Sequence, residues 1–282
     1  MAAPLTPVYF ISHGGPNVMY ETTHPAYSAL GNIGLEITQR VLPSIAGGAK
    51  GMVVFSAHWQ GGASKVLVNV GEDEGLVYDF YGFPDHYYKE KFLYKGSREL
   101  AEKVLGLLWE KGIEAEGVKR GLDHGAWAGF KCMFPPENPL TIPIVQVSLF
   151  DSESPTAHYS LGQAVSSLRS QGYLIICSGM AVHNLRDMRF MFETNKIMEY
   201  VETFDEALRK AVVDSGIGEE RKKKMEELLR RGDARKAHPT FDHLLPVFVA
   251  AGAAEGEGAQ RMWTLAEWSM SWAQFRFGDV GM

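Results

Sequence analysis

Six of the chain's nine histidines stand where chemistry could be done: His13, His58, His124, His183, His238 and His243. Imidazole binds zinc and iron well and exchanges a proton near neutral pH. A catalytic metal centre requires about three protein ligands with a coordination position left open. Taken singly, each of these residues reads as a hydrogen-bonded structural histidine. Their joint placement points to a mononuclear metal enzyme.

What the sequence lacks removes other chemistries. There is no Cys-x-x-Cys for a structural zinc and no His-Glu-x-x-His for a zinc protease. Neither a Gly-x-Ser-x-Gly elbow nor a phosphate-cradling Gly-x-x-x-x-Gly-Lys loop is present, which excludes the common serine hydrolases and P-loop enzymes.

The elements that must carry the histidines are legible as apolar runs. Gly51 to Phe55 is unbroken, β-branched and aromatic, and leads through Ser56 and Ala57 to His58. Val8 to Ser12 runs into His13-Gly14-Gly15-Pro16, and Tyr173 to Gly179 leads on to His183. Continuous apolar runs of this length are strands buried on both faces, the kind found in parallel sheets. Ligands and catalytic groups gather beyond the carboxyl ends of such strands. The expectation is an α/β fold: a single domain over 1–282 with a central, largely parallel or mixed sheet flanked by helices, and a metal site at the carboxyl ends of the strands.

Along the rest of the chain, helices are expected at 25–41, 97–110, 160–168, across 195–231 and from Pro239 to Gly252, with further strands at 65–70, 142–149 and 272–277. Gly121 to Trp127, polar and glycine-bracketed, is expected as a turn capped by Asp123 or as a placement of Asp123 beside His124. Val77 to Pro84 is dense in aromatics and suits a loop over a flat ligand.

Composition bounds the setting. The formal net charge is −6, which argues against nucleic-acid binding. The basic stretch Arg221 to Lys224 is flanked by glutamates and reads as a solvated helix face. Two cysteines are too few for a disulfide framework and fit a reducing compartment. The start of the chain has no basic region ahead of an apolar run, and nothing reaches membrane-spanning length. A cytoplasmic protein is expected.

Six ordered motifs then carry a resemblance. They are His13-Gly14-Gly15-Pro16, Ser56-Ala57-His58-Trp59, Tyr78 to Pro84, Asp123-His124-Gly125-Ala126-Trp127, Ser178-Gly179 with His183-Asn184-Leu185-Arg186, and His238-Pro239 with Asp242-His243. Over nearly its whole length the chain resembles the class III extradiol ring-cleavage dioxygenases, in the branch of plant and bacterial DOPA 4,5-dioxygenase-like proteins.

The resemblance implies His13, His58 and His243 as metal ligands, with His243 where protocatechuate-cleaving relatives place a glutamate. It implies His183 as the acid/base and His124 as a further catalytic contact, with His238 and Asp123 toward the substrate; His238 is also open as a partner behind the ligands or as the third ligand in place of His243. Fe(II) is the cofactor expected for activity, and Zn(II) suits three neutral histidines equally. The partners implied are a small aromatic diol and O2. Arg186 and Lys131 are the cations in the chain near enough to these motifs to be considered for a substrate carboxylate. Two rivals use the same residues: a zinc hydrolase with a metal-bound hydroxide, and an inert binder of phenolic ligands.

Overall fold

Strand β1 (Val8–Ser12) shows why the core has two halves. Its side chains alternate across the sheet, Val8 and Phe10 entering one apolar cluster and Tyr9 and Ile11 the other. Strands β2 (Gly51–Gln60) and β6 (Tyr173–Gly179) do the same. Burial on both faces explains the unbroken apolar sequence of each.

The computed structural model describes residues 5–194 and 196–280. The first four residues, part of the basis for expecting no signal peptide, and Asn195, where a helix was expected to start, lie outside them.

With β3 (Lys65–Asn69), β4 (Glu114–Val118), β5 (Ile144–Leu149), β7 (Val182–His183), β8 (Ala259–Trp263), β9 (Ala266–Glu267), β10 (Met270–Ser271) and β11 (Gln274–Phe277), the strands form two sheets. The large mixed sheet has the order β4-β3-β5-β2-β6-β1-β11-β8. Its centre is parallel, β5, β2, β6 and β1 running the same way, while β11 and β8 close one side antiparallel. A small sheet, β7-β10-β9, sits beside the carboxyl ends of β1 and β6.

Helices cover both faces. Pro25–Glu36 and His124–Met133 pack on one, Arg98–Glu110, Pro155–Val165 and Leu245–Ala253 on the other. Local chemistry sets several starts. Ser97 and Ser154 accept the amide hydrogens of Leu100 and Ala157, and Pro155 follows its cap at the first helical turn. The α/β expectation holds in this mixed sheet.

Three element expectations need correction. The span 195–231 is not one helix but Glu199–Arg209 and Glu219–Leu228, divided at Gly216 and Gly218, both with positive φ. The proline helix starts at Leu245 rather than Pro239, so that Pro246, not Pro239, occupies its first turn. His124 opens a helix, His124–Met133, instead of lying in a turn. That helix is buried nearly all round, so it carries no amphipathic stripe for a sequence reading to detect.

Candidate metal centre

The ends of the central strands deliver the histidines. β1 ends one residue before His13, whose amide donates to the Gly179 carbonyl at the end of β6. His58 lies within β2, and His124 is the first residue of its helix. His243 is placed by the turns before Leu245–Ala253, where its carbonyl accepts from the Met180 amide. The backbone at Gly179 is close enough that a Cβ there would lie 2.2 Å from the His243 carbonyl oxygen. A side chain at 179 would displace the His243 segment.

The four rings converge. Their centroids are 5.0 Å apart for His13 and His58, 4.0 Å for His58 and His124, and 5.5 Å for His13 and His243. One ligand atom each from His13, His58 and His124 lies within 4.8 Å of the others. His58 and His243 face each other with their Nε2 atoms 3.1 Å apart.

The other ring nitrogens are held from behind. His13 Nδ1 is on the Gly14 carbonyl, His243 Nδ1 is 2.9 Å from Asp242 Oδ2, and His124 Nδ1 is 2.9 Å from Asp79 Oδ1. His58 Nδ1 makes a 2.9 Å polar contact with Asp79 Oδ2. Carboxylates and carbonyls behind imidazoles fix the tautomer that turns the Nε2 lone pair forward. Two such nitrogens at 3.1 Å must share an electrophile, a proton or a cation. His13 Nε2 is buried with no hydrogen-bond partner, a costly state for a polar atom unless a ligand satisfies it. The donor set therefore fits a divalent metal of the kind that imidazole favours.

Burial pushes the pKa of His13 well down, reinforced by neighbouring His58, and burial also lowers those of His124 and His243. These rings are neutral, as ligands must be. Burial works against charge on His58 too, but Asp79, Asp123 and Asp242 outweigh it and its pKa is raised. Burial alone would raise the Asp79 carboxyl; the His124 and His58 contacts overcome that and hold it well below the usual carboxylate range.

His183, on β7, stacks face to face on His243 with centroids 3.7 Å apart and ring planes 11° apart. All five histidines open onto a cavity of about 670 Å³, walled by aromatic and apolar groups that include Phe80, Phe83, Met180 and Trp272. The aromatic stretch 77–84 thus forms a wall of the site.

Two expected substrate contacts do not reach this cavity. Asp123 is fully buried, and its carboxylate accepts from Ser56 Oγ, Arg120 and Gln146. His238 is fully buried between Phe204 and Phe241, its Nε2 2.9 Å from the Ala181 carbonyl oxygen. Both support the site from behind its wall. Nor do the proposed cations line it: Lys131 is held by Glu90, and Arg186 lies outside the lining.

The sequence reading gave no role to Asp79, which reaches both His58 and His124, or to Glu267, which lines the cavity. The Tyr78 to Pro84 motif was the signal available for Asp79; nothing local marked Glu267.

No helix among the described residues is long and apolar enough to cross a membrane.

Comparison with known proteins places this geometry. The chain is 34% identical over 257 residues to a Schizosaccharomyces pombe protein named 4,5-DOPA dioxygenase extradiol-like protein, covering 88% of this chain and 84% of that one. It is 32% identical over 274 residues to the 4,5-DOPA dioxygenase extradiol of Beta vulgaris, covering 95% of each. Its fold matches the crystal structure of an uncharacterized Escherichia coli K12 protein with a TM-score of 0.74 at 23% identity, covering 97% of this chain and 100% of that one. Residues 7–275 match the family described as the catalytic LigB subunit of aromatic ring-opening dioxygenase, and the chain belongs to that family.

Proposed function

We propose that the protein cleaves a catechol outside its diol, acting as one catalytic unit over its whole length with a single Fe(II) held by His13, His58 and His243. The observation that carries this reading is the convergence of imidazole nitrogens at the head of an aromatic cavity: His58 and His243 Nε2 face each other at 3.1 Å, and His13 Nε2 is buried and unpartnered. Bound iron would supply the redox centre at which a diol and O2 meet.

The chain's own groups do the rest. Phe80, Phe83 and Trp272 offer ring faces to a flat substrate and keep water from it. His183 is the acid/base. Burial, then the proximity of His243, lowers its pKa well below the ordinary value, so it is a neutral base when substrate arrives. It accepts a phenolic proton at a ring nitrogen and returns it later in the cycle. His124, with Nδ1 on Asp79, presents Nε2 to a substrate oxygen.

A second ligand set has its own support, because the ligand atoms of His124 lie within 4.8 Å of those of His13 and His58. In that arrangement His124 replaces His243 on the metal.

The test of function is oxygen uptake by anaerobically Fe(II)-loaded protein offered a panel of catechols, beside a zinc-loaded sample. Uptake with iron alone, at one O2 per catechol, supports ring cleavage. Hydrolytic turnover by the zinc sample without O2 would overturn it in favour of a hydrolase, and tight catechol binding without turnover would make the protein a binder.

A further inference from the structure

Between β3 and the helix Arg98–Glu110 the chain makes a long excursion whose one regular piece is the short turn of helix Tyr87–Lys89. Long loops inside a compact domain commonly serve as lids or binding loops. Both roots of this one are fixed by backbone hydrogen bonds: the Val77 amide donates to the Leu122 carbonyl, the Gly96 amide to Glu72 and the Ile144 amide to Lys95. Between the roots, Asp79, Phe80, Tyr81 and Phe83 line the cavity. Tyr81 is nevertheless 90% exposed, so the tip of the loop stands where the cavity opens to solvent.

One side chain joins this loop to its neighbours. The Glu90 carboxylate accepts from the Tyr20 hydroxyl on Oε1 and from Lys131 Nζ on Oε2. Lys131 Nζ also donates to the Lys91 carbonyl at 3.2 Å, and the Tyr78 hydroxyl donates to the Glu90 carbonyl at 2.6 Å. The Tyr20 ring packs edge-on against His86 and Tyr87, with centroids 5.1 and 4.7 Å apart. Burial works against charge on Glu90, but the Lys131 and Tyr20 contacts outweigh it and lower its pKa.

The segments held in this way are those that carry the histidines. Tyr20 closes the turn Pro16–Met19 that follows His13, and Pro16 and Asn17 of that turn line the cavity. Lys131 lies about two helical turns beyond His124, on the same side of its helix. The loop itself supplies Asp79 to His58 and His124. The Glu90 and Lys131 side chains are 20% and 27% exposed, so water competes for the pair and its opening costs little.

We infer that Glu90 is a positioning residue: it clasps the aromatic loop to the turn after His13 and to the helix His124–Met133, and the clasp opens to admit a substrate and closes to retain it. The inference rests on the reading of this cavity as the place where a catechol binds. Closure brings Phe80 and Phe83 over the ligand and keeps Asp79 against the two histidines, so one contact links access to the order of the site.

Zinc-loaded protein, which cannot run the redox reaction, separates these steps from turnover. It is mixed with 4-nitrocatechol in a stopped-flow absorbance experiment, and hydrogen exchange is measured on the same sample. The amides of Tyr87, Tyr88, Lys89 and Glu90 donate within the loop and report its opening. In Glu90→Gln and in Lys131→Met they exchange roughly fivefold faster, the scale of one partly exposed ion pair, while β1, β2 and β6 exchange as before. 4-Nitrocatechol enters and leaves both variants faster. The double variant is no faster than either single one, because both changes remove the same contact, and Lys131→Arg keeps the native rates. Native loop exchange or native 4-nitrocatechol rates in both folded single variants, or faster exchange spread evenly over the strands, overturns the inference. Failure of 4-nitrocatechol to bind the native protein removes the catechol reading instead, and the exchange result still decides whether Glu90 holds the loop.

Discussion

His183 lies flat against His243, ring on ring at 3.7 Å, and this contact sets the proposed proton-transfer group directly beside a proposed metal ligand. The two rings come from different parts of the chain, β7 and the segment ahead of Leu245–Ala253. Replacing His183 with Ala leaves the other histidines in place. The expected outcome is metal bound at full stoichiometry with turnover reduced about 10²–10⁴-fold. Metal analysis of the purified variant beside its O2 uptake rate checks this; loss of metal would make His183 a ligand.

The two ligand sets differ at one residue and are separated by a pair of variants. With His243 on the metal, His243→Ala loses iron and zinc alike, while His124→Ala keeps them and turns over slowly. Metal content after dialysis against a weak chelator decides between them. A metal-free His124→Ala protein would move the third ligand to His124.

Asp79 supports two of these rings at once, with His124 Nδ1 on Oδ1 and His58 Nδ1 close to Oδ2, each at 2.9 Å. In Asp79→Asn both rings lose a charged neighbour and the freedom of each increases. Metal affinity should fall by about 10–100-fold, the usual effect of removing a group that orients a metal-binding histidine. Competition with a coloured chelator measures it. Unchanged affinity with slowed turnover would confine the role of Asp79 to His124.

His238 gives a pH prediction away from the metal. Burial lowers its pKa from 6.5 to about 4, so the folded protein holds it neutral where an unfolded chain would bind a proton. Its contribution is complete above pH 6.5 and is lost as pH falls toward 4. The loss amounts to roughly 3 kcal/mol over that window. Thermal melts from pH 7.5 to 4.5 should show a falling Tm in the native protein and a shallower fall in His238→Gln. Parallel curves for the two would show that His238 does not titrate in this range.

The sequence by itself determined the sheet, because strands buried on both faces must be apolar throughout and then stop, as Val8–Ser12, Gly51–Gln60 and Tyr173–Gly179 do. It also put His13, His58 and His183 at one edge, since strand ends in a parallel sheet share an edge, but it grouped His238 with them, which the structure buries behind the cavity wall. The helix His124–Met133 stayed hidden because burial on all sides erases the periodicity that betrays a surface helix.

Only the tertiary structure decided the partners. Asp79 meets a histidine 45 residues away, Glu267 meets His24 from 243 residues away, and Asp123 turns from its neighbour His124 to Ser56 and Gln146. Local patterning reports which face of an element is buried. It carries no information on which polar group, brought in by a distant segment, will complete the hydrogen bonds that burial requires.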